Sequence, residues 1–344
     1  MEKNNEFNEK LKNEKFDEIY GQFKVKREIK SALLMKRHIA IFGQPGIGKT
    51  TLAKNIAKIL PTITVNDCGY NCLPNEPICP KCKTNSDIKK KEITGIQRFI
   101  RVQGSPDLTV EDLIGDIDPI KAIEFGPTSK EAFTPGKIFK ANQGILFFDE
   151  INRCPEKLQN ALLQVLEERK ATISNYEIDF KTDFILIATM NPKDINTERL
   201  SDVLLDRFDV IYMDYPEDLE TEKKIITIYG KNFVTVSDDI KNIIVGFVRK
   251  IRENDKLEKV PSVRATLGLY ERAQSNAFLN NRNKVILNDV KESINSVITH
   301  RIRLKPSVKY LKNASSFIKE EFEKFTEDTS VSSSSDFDSK GDDP

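Results

Sequence analysis

Histidine is scarce in this 344-residue sequence, which holds only His38 and His300, too few for a hydrolase built on His-ligated zinc. Long apolar runs are missing too, and none approaches the ~20 residues that a bilayer-spanning helix needs. The opening stretch, residues 1–15, is charged and Asn-rich without the apolar core of a secretory signal. It reads as a disordered leader, and the chain as cytoplasmic. Neither sign of charge is in excess: 54 Lys plus Arg meet 53 Asp plus Glu. That balance asks for no nucleic-acid or membrane partner. Tryptophan is absent, which excludes nothing.

What is present begins with Gly43-Gln44-Pro45-Gly46-Ile47-Gly48-Lys49-Thr50, followed by Thr51. A short apolar run, Ile39 to Phe42, precedes it, and Leu52, Ala53, Ile56 and Ala57 follow at helical spacing. Strand, glycine-rich loop and helix together form the setting in which G-x-x-x-x-G-K-[ST] cradles phosphate. The glycines let backbone N–H groups close on phosphate oxygens, and the helix N-terminus adds its positive end. Lys49 would reach the β- and γ-phosphates, and Thr50 would offer its hydroxyl to Mg²⁺.

Around this loop the pattern is α/β. A helix is expected at 24–36, and strands within 97–103, at 144–148, at 184–189 and at 210–213. Leu158, Ala161, Leu162, Val165 and Leu166 mark a helix over 155–169. The fold class expected is a doubly wound parallel sheet that binds ligand at its strand C-termini. This α/β domain should run over 16–215, with a four-cysteine insertion at 66–84. After Pro216 the periodicity is helical, over 219–229, 238–252, 263–278, 287–302 and 307–325, which predicts a separate helical domain at 216–325. Residues 326–344, rich in Ser and Asp, read as a disordered tail.

A phosphate loop alone leaves kinases, GTPases and transporters open, and Asp149-Glu150 narrows the choice. Asp149 ends the apolar run 144–148 and is placed to hold Mg²⁺. Glu150 can polarise a water aimed at the γ-phosphate. A guanine-reading N-K-x-D motif is missing, and Asn191-Pro192-Lys193-Asp194 only approaches it in scrambled form. Asn191 is the polar amide expected beside the γ-phosphate. Arg207, within Leu204-Leu205-Asp206-Arg207-Phe208, is the candidate arginine finger, with Arg199, Arg153 and Arg169 as competitors.

In order, these segments resemble the Walker A, Walker B, sensor 1 and arginine-finger segments of AAA+ ATPases. Within that family the chain resembles the magnesium-chelatase I-subunit and MoxR group. Ile19-Tyr20-Gly21-Gln22 looks like the lead-in near the adenine, which implicates Gly21 and Gln22. Phe133-Thr134-Pro135-Gly136-Lys137-Ile138 and Ala141-Asn142-Gln143-Gly144 resemble the run before Walker B. Asp112-Leu113-Ile114-Gly115 resembles the helix-2 insert region. Pro261-Ser262-Val263-Arg264-Ala265-Thr266-Leu267 resembles sensor 2 in a helical lid and implicates Arg264. The resemblance implies an ATP- and Mg²⁺-dependent motor assembled as a homo-oligomeric ring, commonly a hexamer, with Arg207 acting in trans. It further implies a partner carrying a von Willebrand factor A domain, to be remodelled or assisted in metal or cofactor insertion.

Cys68, Cys72, Cys79 and Cys82 crowd a short Pro- and Asn-rich segment. In a cytoplasmic protein this spacing favours thiolate metal binding over disulfides. A structural Zn²⁺ leads, with an iron–sulfur cluster or free thiols as alternatives. The full set departs from photosynthetic magnesium-chelatase I subunits. Cys154 reads as a packed residue. The rival reading is a DNA-directed AAA+ motor, which would draw on Lys89-Lys90-Lys91 and Lys121.

Overall fold

The computed structural model describes residues 2–85, 87–126, 129–173, 178–191 and 200–335. The chain divides into two compact units. The first comprises Met1–Gln44 and Gly48–Asp214; the second comprises Pro45–Ile47 and Tyr215–Pro344.

The first unit is built on five parallel strands: β1 (His38–Phe42), β2 (Phe99–Gln103), β3 (Gly144–Asp149), β4 (Phe184–Met190) and β5 (Phe208–Tyr212), in the order β5-β1-β4-β3-β2. β3 is apolar on both faces because it lies inside the sheet, between β4 and β2, and its residues 144–148 are all buried. The register pairs Ile41 with Thr189 on β4, and Gln103 with Asp149 across β2 and β3. The C-terminal ends of the strands thus collect the phosphate loop, Asp149 and Thr189 along one edge.

The expected helices form over Phe23–Leu34, Lys49–Ile59 and Glu156–Glu168. The 155–169 pattern buries Leu158, Leu162 and Val165 as its spacing requires. The leader expected to be disordered is instead helical over Glu2–Asn13. Leu11 anchors it with no exposed surface, and it packs on helices 23–34 and 49–59. One apolar anchor against two helices suffices where composition alone shows a polar stretch.

Three short antiparallel hairpins, too brief to announce themselves in periodicity, decorate the sheet. They pair Ile63–Asn66 with Lys90–Ile93, Gly115–Ile117 with Phe133–Pro135, and Lys170–Ile173 with Ile178–Lys181. The first encloses the cysteine segment.

The second unit carries helices Leu219–Tyr229, Asp238–Arg252, Val263–Leu279, Leu287–Ile298 and Ala314–Ser335 around a core that includes Ile244, Phe247, Leu269, Val290, Ile294 and Phe322. It also holds a strand pair the helical reading missed, Leu257–Lys259 with Arg303–Leu304. The segment expected as a helix over 307–325 is divided between Pro306–Lys309 and Ala314–Ser335. That last helix runs through the first ten residues of the expected disordered tail, a correction; residues 336–344 lie outside the described ones. Glu222, fully buried, takes both Arg252 nitrogens at 2.6 Å and the Thr266 hydroxyl at 2.5 Å. The Arg252 guanidinium also lies over the Tyr215 ring, 4.6 Å from its centroid.

Candidate nucleotide site

The phosphate loop leaves β1 and enters helix Lys49–Ile59 directly. Gly46 at φ +81° and Gly48 at φ +99° lie in the left-handed region, which glycine enters without the clash a Cβ would bring. The Gly43 N–H donates to Met190 O at 3.1 Å, and Met213 N–H to Phe42 O at 2.8 Å, so the loop hangs between the ends of β4 and β5. The Lys49 ammonium donates to Gly43 O and Gln44 O at 2.6 and 2.9 Å, folded over its own loop. Ile19 and Met213 side chains stand beside Gly48, forming an apolar wall near the lead-in. Gly21 and Gln22 both adopt positive φ, and the Gln22 amide donates to Asp214 O at 2.7 Å. This cradle of backbone N–H groups, a lysine and a helix N-terminus suits a triphosphate; Thr50 and Asp149 are hard oxygen donors suited to Mg²⁺.

At the end of β3, Asp149 and Glu150 are fixed by Thr189, Arg101 and Gln103, to which the sequence reading gave no such role, and by Arg153, which it named only as a competing arginine. The Thr189 hydroxyl, fully buried, donates to Asp149 Oδ1 at 2.7 Å and accepts from the Glu150 N–H at 3.0 Å. Arg101 on β2 donates to Asp149 Oδ2 at 2.6 Å. Gln103, two residues on, donates to Glu150 Oε2 at 3.1 Å, and Arg153 reaches the same oxygen at 3.1 Å. Glu150 itself sits at φ +57°, a left-handed conformation uncommon outside glycine, which turns its carboxylate off the strand. Gly104 lies so close that a Cβ would fall 2.0 Å from Glu150 O, so no other residue fits there.

Asn191 follows β4 directly and is half-buried. Arg207 is paired within its own chain, with Glu167 through Nε at 3.2 Å and through Nη2, and with Asp206 at 3.4 Å. Hydrogen bonding to Glu167 raises its pKa further. Among the competitors, Arg153 is engaged with Glu150, and Arg199 lies outside the described residues. Arg169 lines a small cavity with His38 and Asp183 at the opposite strand ends, away from the phosphate loop. Arg264 is the second residue of helix Val263–Leu279 and is exposed.

The four cysteines converge: their Sγ atoms all lie within 4.8 Å of one another, with Cys72, Cys79 and Cys82 buried. Hydrogen bonds from the Cys72 and Cys79 thiols hold the Cys68 thiol well below its ordinary pKa. The same contact to Cys68 pushes Cys72 up to about 12, and contacts to Cys68 and Cys72 push Cys79 up. Cys154 is fully buried in the core, as a packed residue should be. Lys90 and Lys91 of the lysine run open one strand of the adjoining hairpin, and Lys91 pairs with Asp67 at 2.6 Å.

The profile of the ATPase family associated with various cellular activities (AAA) matches residues 78–210. That of the AAA lid domain matches 258–321, and that of magnesium chelatase subunit ChlI matches 15–75. A magnesium-chelatase subunit ChlI homolog from Methanocaldococcus jannaschii is 30% identical over 321 residues, covering 85% of this chain and 86% of its own. This chain belongs to the ChlI family of AAA+ ATPases. It is an ATP hydrolase that uses Mg²⁺. The ChlI subunit of Mesostigma viride is 27% identical over 328 residues, covering 85% of this ChlI-family chain and 88% of its own. A RuvB variant from Thermotoga maritima superposes with a TM-score of 0.50 at 19% identity, covering 81% of this chain and 71% of its own, a likeness of fold alone. Among the described residues, no helix is long and apolar enough to cross a membrane.

Proposed function

We propose that this ATPase is the motor of a multi-subunit machine, coupling ATP hydrolysis in a homo-oligomeric ring to remodelling of a protein partner or to insertion of a metal or cofactor. The observation that carries the motor half is the pairing of Asp149 and Glu150 through Thr189 beside the phosphate loop. Lys49 and the loop N–H groups bind and orient the triphosphate. Thr50 and Asp149 hold the magnesium, which neutralises phosphate charge when bound. Glu150 takes the proton from the attacking water, and Asn191 orients that water. Arg207, released from Glu167, stabilises charge at a neighbour's site, and Arg264 stabilises it at whichever site the lid places it against. Gly21 and Gln22 flank the base.

The partner half is supported by family membership, since the two relatives described above are named for the ChlI subunit of magnesium chelatase. A cytoplasmic protein carrying a von Willebrand factor A domain is the partner this reading expects, and Zn²⁺ on the four cysteines is its second metal. The rival DNA-directed role has thin support in the exposed lysine run, of which Lys91 is paired with Asp67. The test is gel filtration of Glu150→Gln protein with a purified von Willebrand factor A partner from the same organism. Co-elution in ATP but not in ADP is expected; separate elution in both nucleotides contradicts the partner half.

A further inference from the structure

Between Asn66 and Thr84 the chain offers few aliphatic or aromatic side chains; Tyr70 and three of the cysteines are buried in the main core, with Ile78 packed against it. The enclosing hairpin buries only Ile63, Val65 and Ile93, with Leu73 packed against them. Yet the segment makes two tight turns, with Gly69 at φ +82° and Asn71 at φ +49°, and brings four sulfurs together. Backbone N–H groups point at those sulfurs: Ile78 and Cys79 donate to Cys72 Sγ and Cys82 to Cys79 Sγ, each at 3.4 Å. Such donors stabilise thiolate charge. Lys81 and Lys83, exposed in the same short turn, offset the charge of a tetrathiolate.

The separation of the sulfurs decides what they suit. With Zn–S near 2.3 Å, tetrahedral geometry sets sulfurs about 3.8 Å apart. The observed bound of 4.8 Å accommodates one such ion after a small contraction. A four-iron cubane, whose cysteines ligate separate corners, spreads its ligands wider. The cysteine set therefore fits one tetrahedral ion with no open position, a structural site.

The knuckle is joined to the core by packing, since Tyr70, Cys72, Cys79 and Cys82 lie in its buried cluster, and by hydrogen bonds. Asn142, almost fully buried, donates from Nδ2 to Tyr70 O at 3.2 Å and Asn71 O at 3.3 Å. Its Oδ1 accepts from Asp183 N–H at 3.0 Å. Asn142 stands two residues before β3, which ends in Asp149, and Asp183 stands one residue before β4, which ends beside Asn191. From the knuckle, Asn71 donates to Lys140 O at 2.8 Å. The Tyr70 ring meets Phe139 edge-on at 5.3 Å.

We propose that Cys68, Cys72, Cys79 and Cys82 hold one zinc ion as four thiolates, and that this ion fastens the knuckle, through Tyr70, Asn71 and Asn142, onto the 133–142 run entering β3. Binding releases the thiol protons to solvent and changes no oxidation state. The inference deepens the zinc assignment above and does not depend on which partner the motor serves.

The test uses the full chain, purified anaerobically with a thiol reductant. Elemental analysis should give one zinc and no iron per chain, and Co²⁺ substitution should give the visible bands of a tetrahedral tetrathiolate. Cys72→Ser should lose the metal, whereas Cys154→Ser should keep it. Should Cys72→Ser fail to fold, chelator removal of zinc from the unmutated protein serves instead. Amide exchange over 133–142 should then rise at least about tenfold and recover when zinc is restored. Asn142→Leu should retain zinc while showing the same loss of protection. Protein without zinc, protein with iron and its charge-transfer colour, or exchange unchanged on zinc removal overturns the proposal. ATP turnover on the same sample separates the two readings. Zinc-replete protein without ATPase activity contradicts the motor, and active protein without zinc contradicts only the metal site.

Discussion

The Thr189 hydroxyl accepts from one residue of the Asp149-Glu150 pair and donates to the other, while Arg101 occupies the second oxygen of Asp149. Both oxygens of the carboxylate proposed to hold magnesium are thus engaged by side chains. The Arg101 guanidinium is half-exposed, so its pair with Asp149 contributes no more than about 1 kcal/mol, or about fivefold in an equilibrium. Arg101→Met should therefore lower the Mg²⁺ concentration giving half-maximal ATPase by up to about fivefold. A magnesium titration at fixed ATP reads this directly, and an unchanged or higher requirement contradicts it. Gly43 to Thr50 and Asp149-Glu150 were legible in the sequence because each is contiguous. Arg101 and Gln103 were not, because only the β2–β3 register brings them to residues almost fifty positions away.

At the scale of elements, long strands and helices could be read from periodicity, since burial of one face dictates it. Short hairpins carry too few residues to show a period, and the Glu2–Asn13 helix relies on Leu11 seated against two helices. The start of β1 shows a further element-level consequence. His38 Nδ1 accepts the Leu186 N–H at 3.0 Å, which holds the ring neutral across β1 and β4. Burial, with Arg169 and Arg37 nearby, lowers its pKa from 6.5 to about 4. The unfolded chain then binds a proton that the folded chain refuses between those values. His38 stabilisation is complete above pH 6.5 and is lost as pH falls toward 4, with a slope of up to about 1.4 kcal/mol per unit. Urea unfolding of His38→Gln should show a shallower acid loss than the parent over that window. Parallel curves would show that His38 stays unprotonated in both states or titrates alike in them.

On the scale of the whole molecule, the site is proposed to be completed by a second copy. Arg207 lies on the surface, paired with Glu167, a pair that is exposed and cheaply exchanged for a phosphate. On this proposal, protein with Lys49→Ala should fail to bind nucleotide, and protein with Arg207→Ala should lack the arginine it lends. Mixed one to one, they should regain about a quarter of the unmutated rate, since that fraction of interfaces pairs an intact loop with an intact arginine. Absence of any recovery would place Arg207 in its own site or outside catalysis.

The most direct measurement follows phosphate release and retained ATP together, in the unmutated chain and in Glu150→Gln, at saturating Mg²⁺. With the water's base removed and the cradle untouched, release should fall at least about a hundredfold while ATP stays bound. Equal release from both proteins would contradict the assignment of Glu150, and with it the site as described.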